Sequence, residues 1–244
     1  MGNTIEEPKK IIVAADNLTH KECLELTTKI GHRVHAIKVH EVVDRHGPTV
    51  VGEIRKAGAW RVFDDAKLHD IPKTVELRAK AIAEPGASII AVHASGEVDM
   101  MMAAVRGVRN VSDAEIFAIT VLTSLDEERA HLTFGQPAKA AALYLARLAK
   151  LAGVHGVVCS PKEVGMLAKR PELRGLKFAT PGVRSLGQDA GDQKRFDTPA
   201  AAVKAGATYL VVGRQLTEAH DPVFALDQIE AEIAEALNDM AASK

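Results

Sequence analysis

The sequence predicts a single-domain (β/α)8 TIM barrel of the α/β class, and three observations carry that expectation. A short β-rich run, a polar or Gly/Pro break and an amphipathic helical stretch recur along all 244 residues. Eight such β-runs in about 250 residues is the arithmetic of a closed parallel barrel. The turn after the first run reads Asp16-Asn17-Leu18 in place of the GxGxxG of an open dinucleotide-binding sheet, and there is no GxxxxGK[ST] phosphate loop. No linker rich in Pro, Gly or Ser divides the chain, so one domain spanning 1–244 is expected, with residues 1–10 as an N-terminal extension.

The elements follow in order. IIVAAD (11–16) is the first expected strand, and THKECLELTTKIG (19–31) is the helix behind it. AIKV (36–39) and WRVFDDAKL (60–68) are the second and third strands, and Pro72 marks the first turn of the next helix. SIIAVHA (88–94) is the fourth; Met100-Met101-Met102 then falls in a helix, part core and part surface. EIFAITVLT (115–123) is the fifth, followed by AAALYLARLAKLAG (140–153) with apolar residues at i, i+3 and i+4. GVVCS (156–160), LKFATPGV (176–183) and TYLVVGRQ (208–215) complete the barrel. PAAAVKAGA (199–207) separates the last two strands, and DPVFALDQIEAEIAEALNDM (221–240) closes the chain with Asp-Pro at its start.

Composition narrows the function. With 31 Lys+Arg against 32 Asp+Glu and a formal charge of −1, the chain lacks the basic surplus of a nucleic-acid protein. Six Phe, two Tyr and one Trp supply few aromatic stacking platforms. Cys23 and Cys159 are far apart and form no CxxC, which fits neither a disulfide scaffold nor a thiolate metal cluster and suits a reducing compartment. MGNTIEEPKK has no apolar h-region, Glu6 stands where a myristoylation signal wants Ser or Thr, and no apolar run approaches the ~18 residues of a membrane span. A soluble cytoplasmic protein is expected.

In such a barrel the active site gathers at the C-terminal ends of the strands. Those ends offer Asp16, Lys38, Asp65 with Lys67, His93 with Ser95, Thr123, Ser160, Arg184 and Gly213-Arg214. The sharpest stretch is RVFDDAKLHDIPKTV (61–75). Alternate strand residues share a face, so Asp65 and Lys67 point together into the barrel. Lys38 joins them from the neighbouring strand, and Asp70 follows where the next helix begins. Four alternating charges in one enclosure are costly to bury, and such an array is rarely kept for stability alone.

These residues carry a family resemblance. VAAD (13–16), IKV (37–39), FDDAKLHDIPKTV (63–75), VHASG (92–96), TVLTS (120–124), TPGVR (180–184), AGDQKR (190–195) and VVGR (211–214) together resemble the orotidine 5′-phosphate decarboxylases of the bacterial type. The resemblance runs from residue 11 to the final helix. It implies decarboxylation of orotidine 5′-monophosphate to UMP without cofactor or metal, in a homodimer that binds neither nucleic acid nor membrane. It makes Lys67 the lysine that protonates C6, Asp65 and Asp70 its flanking carboxylates, and Lys38 the residue that completes the network. Asp16 and Lys38 would contact ribose, and Thr123 the pyrimidine. Pro181, Arg184, Gln193, Gly213 and Arg214 fall to substrate binding, mostly at the phosphate. Asp70, Ile71 and Thr74 would enter the partner subunit's site. The physics agrees with these roles: loss of CO2 leaves an in-plane C6 carbanion that only an adjacent cation stabilises, and each ~1.4 kcal/mol supplied is a tenfold rate gain. The stretch 184–197 would close over the phosphate.

Three positions depart from the pattern. Asp64 stands where an apolar residue is usual and by alternation faces the helix layer, Lys73 replaces Asn, and His40 replaces Gly. His32, His35, His40 and His46 crowd one region and invite a metal reading, but they lie on different elements without HExxH spacing and read as incidental surface residues. His93 could line the cavity, a structural hydrogen bond being the other role open to it. The competing readings are a metal-dependent sugar-phosphate decarboxylase or aldolase on the same barrel, and a non-catalytic phosphate-ligand sensor. The first needs an acidic metal ligand where Lys38 stands, and the second fits poorly with an intact charged tetrad.

Overall fold

The computed structural model describes residues 9–185 and 197–242. It is a closed barrel of eight parallel strands in the order β1 to β8. The strands are β1 (Ile11–Ala14), β2 (Ala36–Val39), β3 (Val62–Leu68), β4 (Ile89–His93), β5 (Glu115–Ile119), β6 (Gly156–Val158), β7 (Lys177–Pro181) and β8 (Tyr209–Val212). β1 pairs with both β2 and β8, which closes the ring. Several strands stop short of the apolar runs that announced them. GVVCS is strand only through Val158, with one further bond from the Cys159 N–H to Ala179 O, and TYLVVGRQ only through Val212, because Ser160 and Gly213 already cap the helices that follow.

The helices among the described residues are α1 (His20–Ile30), α2 (Glu41–His46), α3 (Thr49–Lys56), α4 (Pro72–Ala83), α5 (Glu97–Arg109), α6 (Glu127–Phe134), α7 (Ala138–Leu151), α8 (Pro161–Ala168), α9 (Pro199–Ala205), α10 (Arg214–Thr217) and α11 (Pro222–Ala242). Two connections therefore hold a helix pair where one helix was expected: α2 with α3, and α6 with α7. A capping box fixes the start of α1, Thr19 accepting from the Glu22 backbone while the Glu22 carboxylate accepts from the Thr19 N–H at 2.8 Å. Pro72 opens α4 as the sequence predicts, where its missing N–H costs no helical bond. None of these helices is long and apolar enough to cross a membrane.

Strand alternation builds two cores. Ile12, Phe63, Ile89, Phe117, Ile119 and Val211 point inward, while Val13, Ile37, Val62, Ile90, Ile116 and Leu210 face the helices. Met100 and Met101 are buried in that outer layer and Met102 is exposed, as expected. The N-terminal end of the barrel is closed by a polar floor. Arg61 reaches Glu115 (3.3 Å) and His35 Nε2 (3.2 Å), Glu115 also pairs with Lys177, and His35 stacks on Tyr209 at 3.9 Å. Burial, helped by the Arg61 charge, pushes the His35 imidazole down to about 4. His35 is thus a floor residue and not an incidental surface histidine. Lys9 and Lys10, at the end of the expected extension, belong to this floor too: Lys9 Nζ donates to His32 O and lies over Trp60, and Lys10 O accepts from Leu210 N. With that end plugged, the open end is the C-terminal mouth.

Candidate active site

The mouth holds a cavity of about 540 Å³, within the range of small-molecule sites. It brings together Asp16, Lys38, Asp65, Lys67, Thr123, Pro181, Arg184, Gly213 and Arg214. Lys38, Asp65 and Lys67 lie within β2 and β3, Pro181 ends β7, and the others follow the ends of their strands in the loops of the mouth.

The charged centre is compact. Lys38 Nζ lies 2.8 Å from Asp16 Oδ1 and 3.1 Å from Asp65 Oδ2. Lys67 Nζ lies 2.7 Å from the same Asp65 oxygen. Burial works against charge on Lys38, yet Asp65 and Asp16 outweigh it and hold its ammonium above the usual lysine range. Burial likewise raises the Asp65 carboxyl, but the Lys38 and Lys67 charges win and keep it below the usual range. Asp65 is therefore an anion bound between two ammonium groups.

The reason Lys67 reaches this centre differs from simple alternation. Between β3 and β4 the register runs Phe63↔Ile89, Asp64↔Ile90 and then Leu68↔Val92, so β3 carries two extra residues. Lys67 sits in that bulge with φ +46°, a left-handed backbone that bulky residues rarely adopt. Bulges of this kind re-aim a side chain at barrel rims, and strain held at such a point marks a site.

Asp70, Ile71 and Thr74 do not line this chain's cavity. The Asp70 carboxylate accepts from the Ile71 N–H at 2.7 Å, and Ile71 is 67% exposed. Gln193 and most of the 184–197 stretch lie outside the described residues. The ends of that stretch are held together at the mouth, Arg184 N donating to Asp197 O (3.0 Å) and Asp197 N to Gly182 O (3.1 Å). Gly182 has φ +76°, which is why a glycine follows Pro181 in that turn.

Other candidates find different places. Asp64 faces the helix layer as expected, and Lys73 pairs with Glu76 on the surface of α4 (3.5 Å). His93 does not line the cavity; its ring meets that of His69 at 5.6 Å. Ser160 caps α8, its N–H donating to the buried Glu163 carboxylate. His46 stacks on His20 and His32 is exposed. His40 is a correction: it is no incidental surface residue, because its Nε2 lies 3.1 Å from Asp16 Oδ1. With Asp16 and Glu41 it forms the one cluster among the described residues able to hold a metal. The Lys38 ammonium already on Asp16 opposes a second cation there.

The sequence reading missed the apolar walls, Phe63, Ile119, Val158 and Val211, although inward alternation in their strands would have found them. It also missed Asn17, at φ +61° beside Asp16. The arrangement can hold a flat, partly apolar ring against Lys67, with an anion across the barrel at Arg184 and Arg214, since β3 and β7 lie on opposite sides of the ring.

Residues 9–229 match the orotidine 5′-phosphate decarboxylase / HUMPS family. The chain is 40% identical to the orotidine 5′-phosphate decarboxylase of Pseudoalteromonas translucida over 233 residues, covering 93% of this chain and 98% of that one. It is 41% identical to that of Saccharophagus degradans over 235 residues, covering 95% and 98%. Among solved structures it resembles orotidine 5′-phosphate decarboxylase from Lactobacillus acidophilus, with TM-score 0.77, 31% identity and coverage of 92% and 99%.

Proposed function

The chain belongs to the orotidine 5′-phosphate decarboxylase / HUMPS family, and from that premise we infer that it decarboxylates orotidine 5′-monophosphate to UMP in pyrimidine biosynthesis. The observation that carries the reading is Lys67, whose ammonium shares Asp65 Oδ2 with Lys38 inside an apolar-walled cavity that has two arginines across the ring.

In this reading Arg184 and Arg214, with the N–H groups around Gly213, hold the phosphate, and Asp16 and Lys38 hold the ribose. Thr123 and Pro181 border the pyrimidine, and Gln193 joins the phosphate contacts. The 184–197 segment closes over them, its two ends pinned at the mouth. Binding energy from the phosphate then excludes water at the reacting carbon. The C6–carboxyl bond breaks, CO2 leaves, and the bonding pair stays on C6 in the ring plane. Lys67 faces that pair as a cation, stabilises it, and gives its proton to C6; the neutral amine regains a proton from solvent. Asp65 holds Lys67 in place throughout, because a salt bridge of 2.7 Å fixes the ammonium before the anion forms.

The reaction runs without metal or cofactor, since Lys38 supplies a fixed positive charge between Asp16 and Asp65. That same lysine disfavours the metal-dependent sugar-phosphate chemistry. The working unit is a homodimer: Asp70, Ile71 and Thr74 stand outside their own cavity, and exposed Ile71 and Leu77 give the α4 region an apolar face for a second copy. There Asp70 completes the partner's charge network. The chain forms one barrel domain, and its two buried free cysteines suit the cytoplasm.

The test is turnover. The purified chain should consume orotidine 5′-monophosphate, seen as absorbance loss with UMP as product, and Lys67→Ala should be slower by about four orders of magnitude or more, over 5 kcal/mol of barrel-held stabilisation. Equal rates for the two proteins would overturn the assignment of Lys67.

A further inference from the structure

We propose that His40 and Glu41 are positioning residues that fix the Asp16 carboxylate for the substrate's sugar, a proposal that rests on reading Asp16 as a ribose contact. Asp16 stands half-buried in a turn past the end of β1, where an untethered carboxylate would sample several rotamers. Two donors converge on its Oδ1: Lys38 Nζ at 2.8 Å and His40 Nε2 at 3.1 Å. Oδ2 is then the oxygen left for a ligand hydroxyl. Glu41 anchors both sides of this contact. Its Oε2 lies 2.5 Å from His40 Nδ1, and its Oε1 accepts from the Asn17 N–H at 2.5 Å. That second bond grips the left-handed residue directly after Asp16.

The Glu41 backbone N–H donates to His40 Nδ1 at 2.8 Å, so Nδ1 acts as acceptor and the ring hydrogen sits on Nε2, directed at Asp16 Oδ1. Burial raises the Asp16 carboxyl, but the His40 hydrogen bond and the Lys38 charge outweigh it and hold the group well below the usual carboxylate range. A residue that departs from the family pattern thus has work here that Gly could not do. The same three side chains are not a metal site, because both ring nitrogens are engaged and Lys38 occupies Asp16.

The experiment is a double-mutant cycle on KM and kcat for orotidine 5′-monophosphate, using His40→Ala, His40→Gln, Asp16→Ala and the double alanine variant. Loss of a charge-assisted hydrogen bond that acts on ground and transition states alike raises KM by roughly five- to twentyfold and leaves kcat within about twofold. His40→Gln, whose amide nitrogen can take the place of Nε2, recovers most of the loss. The double variant is no worse than Asp16→Ala, because His40 acts only through Asp16. An unchanged KM in His40→Ala, a fall in kcat alone, or additive effects in the double variant would overturn the proposal while Asp16→Ala still showed the ribose contact. An unchanged KM in Asp16→Ala would remove the ribose reading, and this proposal with it. Chelation that raises wild-type KM, reversed by Mg²⁺ and absent in His40→Ala, would overturn it in favour of a metal site.

Discussion

Asp64 and Asp65 follow one another along β3 and meet different surroundings, because successive strand residues face opposite layers. Asp65 lies between two ammonium groups, which hold it ionised despite burial. Asp64 faces the helices at 5% exposure, where burial and then the charges of Asp65 and Asp44 push it up to about 6, only partly offset by Arg78 and His40. A raised carboxyl pKa means that the folded chain holds the proton more tightly than the unfolded one. Its contribution is therefore most favourable below pH 4 and is lost as pH rises toward 6. Two pKa units correspond to an upper bound of about 3 kcal/mol. Asp64→Asn should consequently be more stable than wild type by on the order of 1–3 kcal/mol at pH 8, with the gap shrinking toward pH 4. Denaturant titrations at the two pH values check this, and a pH-independent gap would show that Asp64 is ionised at no cost.

At the scale of elements, β6 is only three residues long and opens on Gly156, which faces the barrel interior against Phe117. A Cβ there would come within 2.4 Å of the Phe117 ring and 2.8 Å of the Lys177 carbonyl oxygen. Gly156→Ala should thus cost about 1–3 kcal/mol through overpacking, read as a lowered denaturation midpoint; an unchanged midpoint would mean that the ring moves freely. Such inward positions were legible in the sequence, because period-2 alternation marks them, and so were Asp65, Lys67 and the mouth residues Arg184 and Arg214. The bulge in β3 was not: nothing in FDDAKL announces two unpaired residues, and Lys67 enters the site through a left-handed backbone that alternation does not describe. The His40–Asp16 pair was hidden for another reason. It joins residues 24 positions apart through two different strand exits, and local periodicity carries no signal for contacts between loops. Asp70 sits just before α4 as expected, outside its own chain's cavity, and the role proposed for it belongs to a second chain.

For the whole molecule, the barrel separates a polar floor from a charged mouth, and the proposed dimer would pair on the α4 face. If each site draws Lys67 from one subunit and Asp70 from the other, two inactive variants should rescue each other. Lys67→Ala and Asp70→Ala, dissociated together and reassembled, would give about half mixed dimers with one whole site each, hence roughly a quarter of wild-type activity. A mixture no more active than its parts, with exchange confirmed, would place both residues in one chain's site. The proposed mechanism requires that fixed protein charges alone drive the loss of CO2 from orotidine 5′-monophosphate. Its most direct test is the turnover rate of the wild-type protein after exhaustive chelation. The predicted result is a rate equal to that of the untreated protein, with UMP formed in step with substrate lost; a rate that collapses and returns with Mg²⁺ would contradict it.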